Sequence, residues 1–232
     1  RRRAEEIVSL AEKTKEDFLR KQEQIAGTIA IGSGELQSSA FLTRLITAFQ
    51  KEHPLVYFTI YSGHSENIKE RLERGLLDIG LLQEPVDITK YSFVRTPIRE
   101  QWGALMRSDS ELAEKESVSP GDLAGMPLVL PERENLQNEL RNWFGPYGEN
   151  LRVIASGNLL YNMASLARDS GGCVLTLRLN CAYEGMRFIP LSPGIEAGTV
   201  LVWKKTQIFS PATAAFIDFS KEYISGIAQD LL

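Results

Sequence analysis

Apolar residues along this chain follow two spacings in turn. Short runs rich in β-branched residues give way to stretches in which apolar positions return every three or four residues, the signatures of a buried strand and of an amphipathic helix. The first unit runs from Gly27-Thr28-Ile29-Ala30-Ile31-Gly32 through the polar turn Ser33-Gly34-Glu35 to a helix face of Phe41, Leu42, Leu45, Ile46 and Phe49. A strand that ends in a polar turn and feeds a helix aims backbone N–H groups at the space beyond it, so this turn is a place to hold a small polar ligand. The alternative is a plain helix start capped by Ser38 or Ser39. The second unit is Val56 to Ile60, the turn Ser62-Gly63-His64-Ser65 and a helix with Ile68 and Leu72 on one face, Ser65 as N-cap and Gly75 as the residue after its end. Leu76 to Leu82 reads as a third strand, closed by Gln83-Glu84-Pro85. Strand, helix, strand, helix, strand predicts right-handed crossovers and a parallel sheet with three polar turns along one edge. Ligands of open α/β sheets settle at that edge.

The pattern then becomes irregular, with Ser92 to Val94 and Trp102 to Met106 as candidate strands, and a second run begins. Ser119-Pro120-Gly121-Asp122 is a helix entry with serine at the N-cap, proline at N1 and an acid at N3. Pro127 to Pro131 is a strand, and Leu136, Leu140, Trp143 and Phe144 mark a helix ending at Gly145-Pro146. Leu151 to Ala155 is a strand before the turn Ser156-Gly157-Asn158. Leu160, Met163, Leu166 and Ala167 mark the next helix, and Gly171-Gly172 leads into the strand Cys173 to Leu177. Phe188 to Leu191 and Thr199 to Trp203 are further strands, and a last helix starts at Ser210-Pro211 with Ala212, Ala215, Phe216, Phe219, Tyr223 and Ile227 on its apolar face. The second run repeats the plan of the first without repeating its residues. It predicts two α/β lobes joined by two ordered crossings, near residues 97–101 and 196–200, with a cleft between them.

Residues 1–25 hold no Gly or Pro, and Ile7, Ala11, Thr14, Phe18, Lys21 and Ile25 recur at steps of four and three. That is coiled-coil spacing on a helix that cannot fold back on itself, so it calls for a partner, unless it is a solvated end. The net charge of −4 argues against a broad nucleic-acid surface. No run approaches the ~18 apolar residues of a membrane span. Arg1-Arg2-Arg3 leads into Ala-Glu-Glu rather than an apolar signal core, which points to a cytoplasmic protein or to a piece of a longer one. Gly32-Ser33-Gly34 matches neither nucleotide fingerprint. Cys173, Cys181, His53 and His64 form neither a disulfide framework nor a zinc site, so no metal or cofactor is expected. Cys173 is expected to be packed and reduced, with a redox pair as the alternative. Helix-end and turn positions suggest surface or capping roles for the two histidines.

The order of these pieces resembles the LysR-type transcriptional regulators over essentially the whole chain. The resemblance is carried by Gly27 to Gly32, by Phe49 to Pro54 with its Phe-x-x-x-His-Pro pattern, by Gly75-Leu76-Leu77-Asp78-Ile79-Gly80-Leu81, by Asp122-Leu123-Ala124 and by Ala167 to Val174. Leu177 departs from the proline usual at the end of the Gly-Gly strand, and Ser110-Glu111-Leu112-Ala113 departs from His-Pro-Leu-Ala. The resemblance implies a two-lobed α/β fold like the type 2 periplasmic binding proteins. Its parts would be a linker helix over 1–25, one regulatory lobe over 26–98 and 199–232, and a second over 99–198. It also implies a small-molecule effector in the interlobe cleft, a homodimer of the regulatory domain, a tetramer at full length, and promoter contact through a winged helix-turn-helix domain ahead of this chain.

The expected ligand contacts are Ser33, Gly34, Glu35, Ser62, Gly63 and Glu84 on one lobe and Pro131, Asn158 and Thr176 on the other. An acid at Glu35 would repel a carboxylate unless paired, which leaves room for a neutral, cationic or metal-accompanied effector; an acid favourably placed near a helix start and turned away from the cleft is the alternative. Two further functions share the fold, a solute-binding protein of a transport system and an enzyme. The enzyme reading would rest on a Glu35–Glu84 carboxylate pair, because no nucleophile elbow, His-Glu-x-x-His or Cys–His arrangement is present.

Overall fold

A computed structural model describes residues 25–230, with side chains to residue 227. The helix expected over 1–25 lies outside this range except for Ile25. The described chain forms β1 (Ala26–Ser33), α1 (Ser38–Glu52), β2 (Leu55–Ser62), α2 (Ser65–Glu73), β3 (Ile79–Gln83) and β4 (Tyr91–Arg107). After a short 3-10 turn come α3 (Pro120–Leu123), β5 (Leu128–Pro131), α4 (Glu134–Phe144), β6 (Val153–Gly157), α5 (Leu160–Ser170), β7 (Cys173–Leu177), β8 (Met186–Pro190), β9 (Glu196–Lys204) and α6 (Pro211–Asp230).

The strands follow the order β2-β1-β3-β9-β4-β7-β5-β6, with β8 also paired to β4. β1 runs parallel to β2 and β3, and β5 runs parallel to β6 and β7. The orders 2-1-3 and 6-5-7 match one another, in keeping with the repeated succession of strands and helices along the sequence. The first three strands are thus parallel as expected, while β9 and β4 add antiparallel strands that make the sheet as a whole mixed. The two halves share one continuous sheet. β4 is one 17-residue strand rather than two short ones, pairing with β9 over its first part and with β7 and β8 over Trp102 to Arg107.

The joint lies where β4 and β9 slip register between Arg95 and Arg99. Pro97, which has no N–H to donate, falls inside the slip, and the Thr96 and Thr199 hydroxyls bridge the two strands at 2.5 Å. The two expected crossings therefore fall on β4 and β9.

Both faces of each half are covered. Alternate side chains of β1 send Ile29 and Ile31 under α1 and α6 with Leu45, Phe49 and Phe216, while Ala30 faces the α2 side with Ile68, Leu72 and Val202. In the second half Leu128, Leu130 and Leu175 pack with Leu140 and Phe144 of α4, and Val129 and Val174 with Leu160 and Ala167 of α5. Leu166, expected in the α5 face, is 42% exposed, and Ala164 takes the buried place.

β3 starts later than expected because Asp78 replaces a ladder step. Its carboxylate accepts the Ala30 N–H at 2.8 Å while its own N–H donates to the Ala30 carbonyl at 2.8 Å. Gly75 closes α2 as expected, at φ +68°, with its N–H on the Leu72 carbonyl and the Leu76 N–H on that of Arg71. The N-cap of α2 is His64, in extended conformation, and Ser65 is instead the first, buried helical residue.

Candidate functional site

At the carboxyl ends of the parallel strands the turns of the two halves face one another across a cavity of about 280 Å³. That is near the lower end of small-ligand pockets, ~300–1,000 Å³. Of the expected contacts, Gly34, Glu35, Ser62 and Gly63 line it from the first half and Pro131, Asn158 and Thr176 from the second. Ser33 and Glu84 do not line it. Ser33 is buried behind the wall, its hydroxyl satisfied by the Gly34 carbonyl at 3.0 Å and the Ser39 hydroxyl at 3.1 Å. Glu84 pairs with Arg95 at 3.1 Å. The rest of the wall is largely apolar, with Leu36, Ile68 and Leu81 facing Leu136, Met163 and Leu175, and Trp102 from β4.

Two carboxylates brace this edge. Glu100, on the crossover strand and fully buried, accepts the Gln37 N–H at 2.8 Å and the Ser38 N–H at 2.9 Å. It occupies the anion position at the start of α1, where the free N–H groups and helix dipole favour negative charge. Ser39, one of two serines expected as a cap, accepts from Leu36 N at 3.3 Å, whereas the Ser38 hydroxyl is buried without a partner. Glu35 reaches across the cleft, and its carboxylate accepts the Leu160 N–H at the start of α5 at 3.4 Å. The acid in the first turn thus faces the cleft and is matched to the opposite helix. A second link across the cleft joins Arg133, before α4, to Glu66, in the first turn of α2, at 3.1 Å.

Three nitrogens of the wall are buried without a hydrogen-bond partner: Trp102 Nε1, Arg133 Nε and His64 Nδ1. None of these three residues, nor Glu100, is among the contacts expected from the sequence, although His64 does take a helix-cap position as expected. His64 had a local signal, its place directly after Ser62-Gly63. Arg133 follows the Pro131 turn, whereas Glu100 has only tertiary partners.

The remaining chemistry-bearing residues lie in other surroundings. His53 caps α1, donating its N–H to the Phe49 carbonyl at 2.9 Å with its ring against Phe49. Burial pushes the Cys173 thiol up to about 12, which leaves it inert. Cys181 is exposed, and both cysteines are free. Burial, then neighbouring Cys181, raises the Tyr183 phenol to about 12. Glu35 and Glu84 do not form a carboxylate pair, since one meets Leu160 and the other Arg95. Among the described residues no helix is long and apolar enough to cross a membrane, and no group of metal-binding side chains occurs.

Two α/β halves closing on a largely apolar cavity define a small-ligand-binding module. The chain belongs to the LysR substrate binding domain family, which it matches over residues 22–225. It is 24% identical over 216 residues to the uncharacterized HTH-type transcriptional regulator YvbU of Bacillus subtilis, covering 88% of this chain and 73% of that protein. Its fold resembles that of the effector binding domain of QuiR in complex with shikimate, with a TM-score of 0.75 at 17% identity over 87% of this chain and 99% of that one. It also resembles HinK, a LysR family transcriptional regulator from Pseudomonas aeruginosa, with a TM-score of 0.71 at 22% identity over 96% and 78% of the two chains. The family is one of transcriptional regulators, so neither the transport nor the enzyme reading is favoured.

Proposed function

We propose that this chain senses a small-molecule effector in the cavity between its halves and passes the result to promoter-bound DNA-binding domains. The observation that carries this reading is the cavity wall itself, built from the strand-end turns of both halves, which the chain connects through β4 and β9. A ligand touching Gly34, Glu35, Ser62 and Gly63 on one side and Pro131, Asn158 and Thr176 on the other binds best at one interlobe angle. It shifts the population of that arrangement by its difference in affinity for the alternatives, and by no more. The regulatory domain would act as a homodimer and the full-length protein as a tetramer in the cytoplasm, with promoter DNA read by a winged helix-turn-helix domain outside these residues.

A thermal-shift screen of metabolites tests the proposal. A ligand at 100 times its Kd adds about 2.7 kcal/mol to stability. Failure of every compound to raise Tm would contradict it.

A further inference from the structure

Four helices begin at the cleft edge, and their starts fall into two pairs. Those of α1 and α5 are already occupied by the protein's own carboxylates, Glu100 and Glu35. Those of α2 and α4, of nine and eleven residues, have no side-chain cap, and their N-cap residues are His64 and Arg133. These are two of the three cavity-lining residues whose buried nitrogens lack a partner. The third, Trp102, is 3% exposed. Trp Nε1 and Arg Nε can only donate, so each requires an acceptor, and a buried donor without one is costly.

Resting on the cleft reading above, we infer that the effector is a small organic anion with an apolar body. Its anionic group is held between the starts of α2 and α4 by Arg133, with His64 beside it, and a second acceptor meets the Trp102 indole. The start of α1, which the buried Glu100 carboxylate fills, is not its anion site.

The existing partner of Arg133 is a weak competitor. Glu66 is 58% exposed, and exposed ion pairs are worth little because water and salt screen them. Glu66 also stands 3.9 Å from His64 Nδ1, so one carboxylate holds the place that an incoming anion would take. Glu66 itself does not line the cavity; the acids that do are Glu35, engaged with Leu160, and Glu132, which is exposed. The apolar part of the wall fits a hydrocarbon frame and gives nothing to a second charge.

The test uses matched head groups on one frame. Benzoate, benzamide and benzylamine, the same three groups on cyclohexyl and butyl frames, and the three hydroxybenzoates are titrated calorimetrically and by thermal shift into the wild type, Arg133→Met, Glu66→Gln and Trp102→Phe. The acids should bind at least tenfold tighter than the amides, and the amines not at all. Arg133→Met should bring the acids down to the level of the amides, while Glu66→Gln should tighten the acids several-fold. A hydroxybenzoate should gain over benzoate, and Trp102→Phe should remove that gain. Amides or amines binding as well as acids, or acids indifferent to both Arg133→Met and Glu66→Gln, would overturn the ligand class and leave the cleft reading standing. Binding by no compound of any charge would count against both.

Discussion

Helix α3 and helix α1 meet the same need by opposite means. α3 caps itself within four residues: Asp122 N donates to the Ser119 hydroxyl at 3.4 Å, and the Asp122 carboxylate accepts the Ser119 N–H at 2.8 Å. α1 has no local side-chain cap and relies on Glu100, which lies 62 and 63 positions along the chain from the amides it holds. The local cap stabilises one turn and nothing else. The distant one ties the crossover strand to the helix that opens the first cleft turn. A free N–H group can therefore be satisfied without consequence for the rest of the fold, or in a way that fastens the helix to the strand crossing between the halves.

The sharpest way to break this comparison is to remove the distant cap. Glu100→Ala leaves two N–H groups without their buried acceptor. Urea denaturation should show a loss of about 3 kcal/mol. A loss no greater than that of the local cap would erase the distinction.

Removing the local cap should cost less. Asp122→Ala is expected to lower stability by about 1 kcal/mol. The Lys115 ammonium at 2.5 Å, and then the Ser119 N–H, hold the Asp122 carboxyl down to about 2. Because the folded value is below the unfolded value of ~3.9, its contribution is complete above that value and is lost as pH falls through about 2. Wild-type and Asp122→Ala melting temperatures should converge on acidification through that window; a constant gap would contradict the assignment.

The contacts across the cleft are expected to be weaker still. Glu35→Ala should cost under about 1 kcal/mol, since the side chain is exposed and its bond to Leu160 N is long. Hydrogen exchange should speed up at the Leu160 amide and not at Gln37 or Ser38. A double-mutant cycle on Glu66 and Arg133 should give a coupling below about 1 kcal/mol that fades with added salt. A larger, salt-insensitive coupling would mean that the pair locks the cleft rather than yielding to a ligand.

The same contrast explains what could be read from the residues alone. The Ser119–Asp122 cap, the Gly75 helix end and the three polar turns after β1, β2 and β3 are local, and their side-chain chemistry states them. Seven of the nine expected contacts line one cavity for the same reason, being strand-end turn residues in a repeated plan. Ser33 shared that address, but its hydroxyl points into the turn's own hydrogen bonds. Glu84 is turned toward Arg95 on β4. Glu100 had no signal at all, because nothing near it in sequence hints at α1. The long β4 was hidden likewise: its polar middle pairs with β9, and only that pairing makes it a strand.

A crystal structure of the chain with the strongest hit from the metabolite screen tests the central claim most directly. Electron density in the cavity between the Ser62–Gly63 turn before α2 and the Pro131 end of β5, with the molecule touching both halves, is the predicted result. A ligand that binds outside this cavity, or that contacts one half alone, would contradict it.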